Sequence, residues 1–383
     1  MAKIDIYHNI RWSRYKARVF SALHRQAKDQ AIEMRFFQIA DTSSNRTNLS
    51  DVELNYHQYP HELLFPGSYE NIPKWKLVLT LFNKVFHSNA DLILIHGYSH
   101  LEHWAMLLAA ILSGKKRGMF CDSTLYDRSQ SRWKALFKIS FFRLCNAHFA
   151  YGTRSRDLLV HYGTRSERIF HPCQAAALPD NYNTQAVKAA RLAFAPLPNT
   201  PRLIYVGRLS PEKSLGLLIR AIVKLRNSIP ELKLALIGDG SQRKELETLS
   251  HSLGLNDVIE FTGSLSQEAL AAEYLRASCL VLPSYSEPWG LVVNEALHYG
   301  CPVVVSNHCG CVPELVHDGV TGFVFRSGDV NDLVRNLQKI LIEFTNLEQV
   351  TDRCLAAIAP YSPDTAAAQI LRGSTFILAG RSA

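Results

Sequence analysis

The sequence predicts an α/β protein built from two doubly wound domains, and three observations carry that expectation. In the C-terminal half, short and nearly continuous apolar runs alternate with helical patterns, the mark of a parallel sheet covered on both faces. The N-terminal half repeats the alternation more faintly. Between the halves, Pro172 to Pro201 is rich in Ala, Pro and Asn, a composition that suits a connection better than a core. The chain has 383 residues, 47% hydrophobic and 20% charged, enough for two full cores.

In the C-terminal half the apolar, β-branched runs are 202–206, 233–237, 258–261, 279–282, 302–305 and 322–325. Helical patterns fill 214–227, 241–253, 267–276 and 290–299, and turn signals such as Gly238-Asp239-Gly240 fall where strands should end. In the N-terminal half, strands fit 3–7, 34–38, 92–95, 118–121 and 148–151. Helices there fit 15–27, 75–86, 101–112, 132–145 and 153–162, and a further helix fits 184–194 in the connection. The expected division is a first Rossmann-like domain over 1–178 and a second over 179–363, with a C-terminal helix at about 364–383 packing back on the first. Two such sheets facing each other would leave a cleft, and ligands of such sheets bind at the carboxyl ends of the strands.

Composition excludes several classes. No apolar run reaches the roughly 20 residues that a membrane span needs. The N-terminus, Met-Ala-Lys-Ile-Asp-Ile-Tyr, reads as a buried strand, so the expected location is the cytoplasm. The eight cysteines lie largely in apolar runs and read as reduced core thiols. Cys309-Gly-Cys311 beside His308 and Cys301 matches no common zinc spacing, so no metal is expected. Charge is lopsided: residues 1–185 hold 24 Lys and Arg against 15 Asp and Glu, whereas residues 186–383 hold 18 against 19. A basic N-terminal half fits an anionic partner or a merely solvated basic face. The stretch Arg132–Arg143, basic and aromatic at helical spacing, reads either as a membrane-surface helix or as a core-facing helix with snorkelling cations.

Two motifs carry the chemistry. The first is Glu287-Pro-Trp-Gly-Leu-Val-Val-Asn-Glu295, which follows an apolar strand and opens a helix. Gly290 lets the backbone approach a ligand, and the first helical amides, with the positive dipole end, suit a phosphate. Glu287 can accept hydrogen bonds from sugar hydroxyls, and Glu295, about a turn further on, reaches another part of the ligand. The second is Val206-Gly-Arg-Leu-Ser-Pro-Glu-Lys213, where Arg208 and Lys213 bring two cations to a strand end beside Gly207. Such charge neutralises a departing diphosphate. No Asp-x-Asp triplet occurs, so the cations would stand where a metal otherwise would.

In these motifs residues 202–345 resemble the donor-binding domain of retaining glycosyltransferases of family 4, which have the GT-B fold. Glu287 and Glu295 match the family's Glu-x7-Glu motif; Gly207, Arg208, Glu212 and Lys213 match its Gly-Arg…Glu-Lys loop. Ile237–Ser241, Phe261–Gly263, Pro283-Ser284 and Pro313–Gly322 match in order as well. The resemblance implies a retaining, metal-independent transfer of a sugar from a UDP- or GDP-linked donor to a hydroxyl acceptor, in surface polysaccharide or glycolipid assembly. It implies that Arg208 and Lys213 hold the diphosphate and that Glu287 contacts the sugar with help from the Trp289-Gly290-Leu291 backbone. Glu295 would bind the ribose, and the segment containing Gly263 and Leu265 would lie beside the base.

The N-terminal half departs from the family. Its first loop, His8 to Lys16, has no glycine, so Arg11, Arg14 and Lys16 are the candidates for charge there. Where the family tends to place a polar residue near the sugar, this chain reads Phe120-Cys-Asp-Ser-Thr124, which makes Asp122 a candidate catalytic residue or a turn cap. The expected partners are the nucleotide sugar, a glycan or lipid-linked acceptor and an anionic membrane surface on the inner face; no nucleic acid and no cofactor are expected. The competing readings are a glycoside hydrolase using two carboxylates, a nucleotide-sugar epimerase and a non-catalytic nucleotide-sugar-binding protein.

Overall fold

The computed structural model describes residues 1–44, 52–127, 132–194 and 200–380, for 132–134 the backbone alone. Residues 195–199 of the expected connection and 381–383 of the expected terminal helix lie outside the described residues. By its contacts the chain divides into two compact units, one of 1–125, 129–177 and 361–383, the other of 126–128 and 178–360.

The first unit is a seven-stranded parallel sheet. Its strands are β1 (Lys3–Ile10), β2 (Glu33–Thr42), β3 (His61–Ser68), β4 (Leu92–Ile95), β5 (Lys116–Cys121), β6 (Ala147–Ala150) and β7 (Ile169–Phe170), in the order β3-β2-β1-β4-β5-β6-β7. One face is covered by α2 (Lys74–Phe86), α3 (Leu101–Leu112), α4 (Arg132–Leu144) and α5 (Thr153–His161), whose inward residues form one core with the sheet. The other face is covered by α1 (Arg14–Asp29) and α14 (Pro363–Leu378), which also pack on each other. α14 ends at Leu378, short of the expected 383. An Arg25–Asp364 ion pair at 2.5 Å joins the two helices at the surface, and Gly373 lets α14 press on the sheet. A Cβ at Gly373 would stand 2.5 Å from the Phe149 ring.

The sequence pattern missed β3 and β7. β3 carries His61, Glu62 and Pro66-Gly67 and lies at the sheet edge, where alternation is weak and proline is tolerated. β7 is two residues long and leaves no period to read.

The second unit is a six-stranded parallel sheet of β8 (Arg202–Val206), β9 (Lys233–Ile237), β10 (Ile259–Gly263), β11 (Cys279–Leu282), β12 (Val303–Ser306) and β13 (Gly322–Phe325), in the order β10-β9-β8-β11-β12-β13. Its helices are α6 (Thr184–Ala193), α7 (Leu215–Arg226), α8 (Arg243–Ser252), α9 (Gln267–Arg276), α10 (Leu291–His298), α11 (Val312–Leu315), α12 (Val330–Glu343) and α13 (Leu347–Ile358). α12 and α13 were not read from the sequence. β8, β9, β11 and β12 are buried almost throughout, as strands covered on both faces must be. All eight cysteines are buried, and none is joined in a disulfide.

The first unit shelters four imidazoles, with His8, His103 and His148 buried and His96 half-buried. Burial pushes His8 down to about 3 and His103 and His148 down to about 4, and holds His96 well below its ordinary value. In the folded chain these rings stay neutral, whereas in the unfolded chain they take up protons below about pH 6.5. Stability is therefore lost as pH falls from about 6.5 towards 4, by up to about 1.4 kcal/mol per ring per pH unit. Urea unfolding at pH 7.5 and pH 5.5 checks this: the midpoint should drop clearly at the lower pH, and an unchanged midpoint would mean that the rings titrate in the native state.

Candidate functional site

The motif residues of the second unit sit on loops at the carboxyl ends of adjacent strands. Gly207 to Lys213 follows β8, Gly238 to Gly240 follows β9, Pro283 to Gly290 follows β11, and Asn307 to Cys311 follows β12. These loops are locked by backbone contact. Gly238, at φ +129°, lies so close that a Cβ there would stand 2.0 Å from the Gly207 carbonyl oxygen. A Cβ at Gly310 would stand 1.8 Å from the Pro288 carbonyl oxygen. The Gly310 N–H donates to the Glu287 carbonyl at 2.8 Å and the Cys311 N–H to the Trp289 carbonyl at 2.9 Å. The backbone that carries Glu287 is thus clamped to its neighbour before any ligand arrives.

Lys213 and Glu287, 74 residues apart, meet across this frame. The Lys213 Nζ lies 2.5 Å from the Glu287 Oε2, and the two side chains are only 12% and 14% exposed. Arg208 faces Glu212 at 3.2 Å, and the Ser210 hydroxyl donates to the same carboxylate oxygen at 2.6 Å. Burial alone would raise the Glu212 carboxyl, but the Ser210 hydroxyl and the nearby Arg208 and Lys213 hold it below the usual carboxylate range. The Arg208 backbone is fixed in turn, since its carbonyl accepts from the Tyr205 hydroxyl at 2.7 Å.

Gly290, at φ +102°, is the N-cap of α10, so the helix opens directly from the clamped loop. Trp289 is 3% exposed, and its indole N–H donates to the Asn294 Oδ1 at 2.8 Å. Its side chain therefore anchors the loop beneath the start of α10. Glu295 lies within α10, where its Oε2 accepts from the Tyr274 hydroxyl at 2.8 Å. Gly263, at φ +72°, ends β10, and its carbonyl accepts from the Gly238 N–H at 2.9 Å; Leu265 is half-buried just beyond it. The segment 126–128, which counts with this unit, brings the Tyr126 ring to 5.1 Å from that of His308. The Asp127 carbonyl there accepts from the Ser286 hydroxyl at 3.2 Å.

Two residues of the site escaped the sequence reading. Tyr274, fully buried in α9, orients Glu295, and Arg243 of α8 reaches the Phe261 carbonyl at 3.3 Å beside the Gly263 turn while pairing with Asp239 and Glu247. Both sit in helices, where a tyrosine or an arginine at helical spacing gives no sign of its task.

In the first unit Asp122 follows β5, exposed to solvent. Its carboxylate accepts from the Ser123 hydroxyl at 3.3 Å and its carbonyl from the Ser155 hydroxyl at 3.2 Å. The cations expected to act from the first loop are already engaged. Arg11 pairs with Asp41 and Arg14 with Glu53, each at 2.5 Å. Lys16 is buried, with its ammonium 4.3 Å from the centre of the Tyr151 ring, and burial lowers it to about 8.

Residues 191–351 match the family model described as "Glycosyl transferases group 1". Over 147 residues the chain is 42% identical to sulfoquinovosyl transferase SQD2 of Arabidopsis thaliana, a match covering 38% of this chain and 27% of that protein. Over 228 residues it is 32% identical to the D-inositol 3-phosphate glycosyltransferase of Streptomyces scabiei, covering 55% of this chain and 49% of that one. The chain thus spans about half or less of the length of these curated relatives. Against the crystal structure of HepE from Anabaena in complex with UDP and glucose, the TM-score is 0.72 at 20% identity, over 98% of this chain and all of that one. The fold is that of the GT-B glycosyltransferases. The family match takes in every candidate of the second unit, from Gly207 to Glu295, and leaves Asp122 outside it.

The Lys213–Glu287 contact should be measurable by itself. A charge-assisted pair this sheltered contributes about 1.5–3 kcal/mol. Lys213→Met and Glu287→Gln should each lower the unfolding temperature, and the double variant should lose less than the sum. Thermal unfolding of the four proteins gives the coupling energy; strict additivity would show that the contact carries none.

Proposed function

We propose that the chain is a retaining glycosyltransferase that moves a sugar from a nucleoside-diphosphate donor to a hydroxyl acceptor without a metal ion. The observation that carries this reading is the meeting of Lys213 and Glu287 beside the glycine-capped start of α10. A cation, a sugar-binding carboxylate and a helix N-terminus there address adjacent parts of one ligand. The diphosphate would take Arg208, Lys213 and the first amides of α10, where a helix start favours negative charge. The sugar would take Glu287, and the ribose would take Glu295, whose carboxylate the Tyr274 hydroxyl orients. The base would lie along Gly263 and Leu265, next to Arg243. Asp122 is proposed to act near the transferred sugar from the first unit.

In the reaction the bond between the anomeric carbon and the diphosphate oxygen breaks as the acceptor oxygen bonds to the same face of that carbon. The leaving phosphate takes the acceptor proton. Negative charge grows on the leaving diphosphate, so cations already in place lower the barrier most. The match to "Glycosyl transferases group 1", and relatives named as transferases of sulfoquinovosyl and other glycosyl groups, support this class of chemistry. An acceptor in surface polysaccharide or glycolipid, and a site of action in the cytoplasm, are part of the same proposal.

A thermal-shift screen of UDP, GDP and their sugar conjugates, run in excess EDTA, tests the reading. One nucleotide series should raise the unfolding temperature. With the donor so identified, Lys213→Ala should lower kcat about 100-fold or more with the fold intact by circular dichroism. Glu287→Gln releases Lys213, so it should leave nucleoside-diphosphate binding as tight or tighter while transfer falls. Failure of every nucleotide to bind would sink the proposal, and turnover of the donor with no acceptor would replace it with an epimerase.

A further inference from the structure

The helical layer α2–α4 of the first unit presents an outer surface unlike the rest of the molecule. Nineteen large apolar side chains are exposed among the described residues, and nine of them lie on these three helices, against none on α1 or α14, which cover the opposite face of the same sheet. Trp75 and Leu79 project from α2, Leu101 and Leu108 from α3, and Leu136 and Phe137 from α4; Trp75, Leu101 and Phe137 are 68%, 73% and 68% exposed. The three helices share one core beneath them, α2 packs on α3, and the Phe137 ring lies 6.3 Å from that of Trp104 on α3, so the exposed side chains belong to one continuous layer. An exposed apolar surface of this extent on a soluble face marks a site of contact.

Charge identifies what it contacts. By sequence the three helices hold seven Lys and Arg and a single acid, Glu102. Glu102 is 1% exposed and takes the Tyr69 hydroxyl, so no carboxylate of these helices reaches the outer surface. Lys74 and Lys76 flank Trp75 directly, both exposed. A second copy of the chain would set this cationic face against itself. No helix among the described residues is long and apolar enough to cross a membrane.

From this we infer that the outer face of α2, α3 and α4 docks on a lipid bilayer bearing anionic headgroups. Its aromatic and leucine side chains would enter the headgroup boundary, and its lysines would pair with lipid phosphates. The face is distinct from the loops at the strand ends, and the inference stands whatever the donor proves to be.

Vesicle co-sedimentation of the full chain decides it, comparing phosphatidylcholine alone with phosphatidylcholine containing phosphatidylglycerol. The chain should pellet with the anionic vesicles at low salt, and raising the salt should weaken the binding, because screening reaches to about 10 Å at 0.1 M. Lys74→Gln with Lys76→Gln should cut the partition about fivefold per cation removed. Trp75→Ser with Phe137→Ser should abolish it, with the circular dichroism spectrum and unfolding temperature as in the parent. No enrichment on anionic over neutral vesicles at low salt would overturn the inference. So would parental binding by both double variants, or binding lost in dimers that sedimentation velocity shows to form through this face.

Discussion

The second unit depends on one constraint: the loops after β8 and β11 must hold a cation and a carboxylate, 74 residues apart in sequence, at 2.5 Å from each other. With Arg208 on Glu212, the cluster contains two cations and two carboxylates, and its net charge is zero before a ligand enters. That neutrality lets two positive groups sit close together at a half-buried strand end, where unpaired charge would be costly. Under the proposed function it also means that an incoming diphosphate would compete with Glu287 for Lys213. Under the proposed reading, Glu287 is freed for a sugar hydroxyl as its partner turns to phosphate. The resting pair is then a closed form of the site, and donor binding opens it.

Such an exchange needs a rigid frame, since a loose loop would follow its charge instead of releasing it. The frame here is main chain on main chain. Gly310 and Gly238 allow neighbouring loops to approach to distances that no side chain permits, and the amides of Gly310 and Cys311 hold the carbonyls of Glu287 and Trp289. Trp289, sealed under the loop by its bond to Asn294, resists displacement from below. The moving parts are thereby reduced to the ends of Lys213, Arg208 and Glu287. Preorganisation of this kind is what makes fixed charges effective against charge that develops during a reaction.

How much of this was legible depended on whether the task of a residue left a periodic or positional trace. The strands of the second sheet read plainly because both of their faces are buried. The candidate residues read plainly because glycine, proline and charge cluster at strand ends. β3 and β7 left no trace, one being an edge strand broken by Pro66-Gly67 and the other only two residues long. Tyr274 and Arg243 were illegible because a residue that orients another from inside a helix looks like any core tyrosine or surface arginine. The first loop hid its partners: Arg11, Arg14 and Lys16 read in sequence as candidates for charge, but Asp41, Glu53 and the aromatic rings that engage them come from distant segments.

That correction bears on where the excess positive charge of the N-terminal half resides. Arg11, Arg14, Arg35 and Lys84 are each matched to a carboxylate, so they add little field at the strand ends of the sheet. The outer layer of α2 to α4 is the contrary case, with Lys74 and Lys76 exposed on either side of Trp75 and its single carboxylate turned inward to Tyr69. The same layer carries the aromatic and leucine side chains that the opposite helical face lacks. A basic half read from sequence alone points as readily to a substrate as to a surface. Once the paired cations are set aside, the remaining charge coincides with exposed apolar area, and that coincidence favours a surface. A soluble anionic substrate would call for the charge but would leave the exposed leucines without a reason.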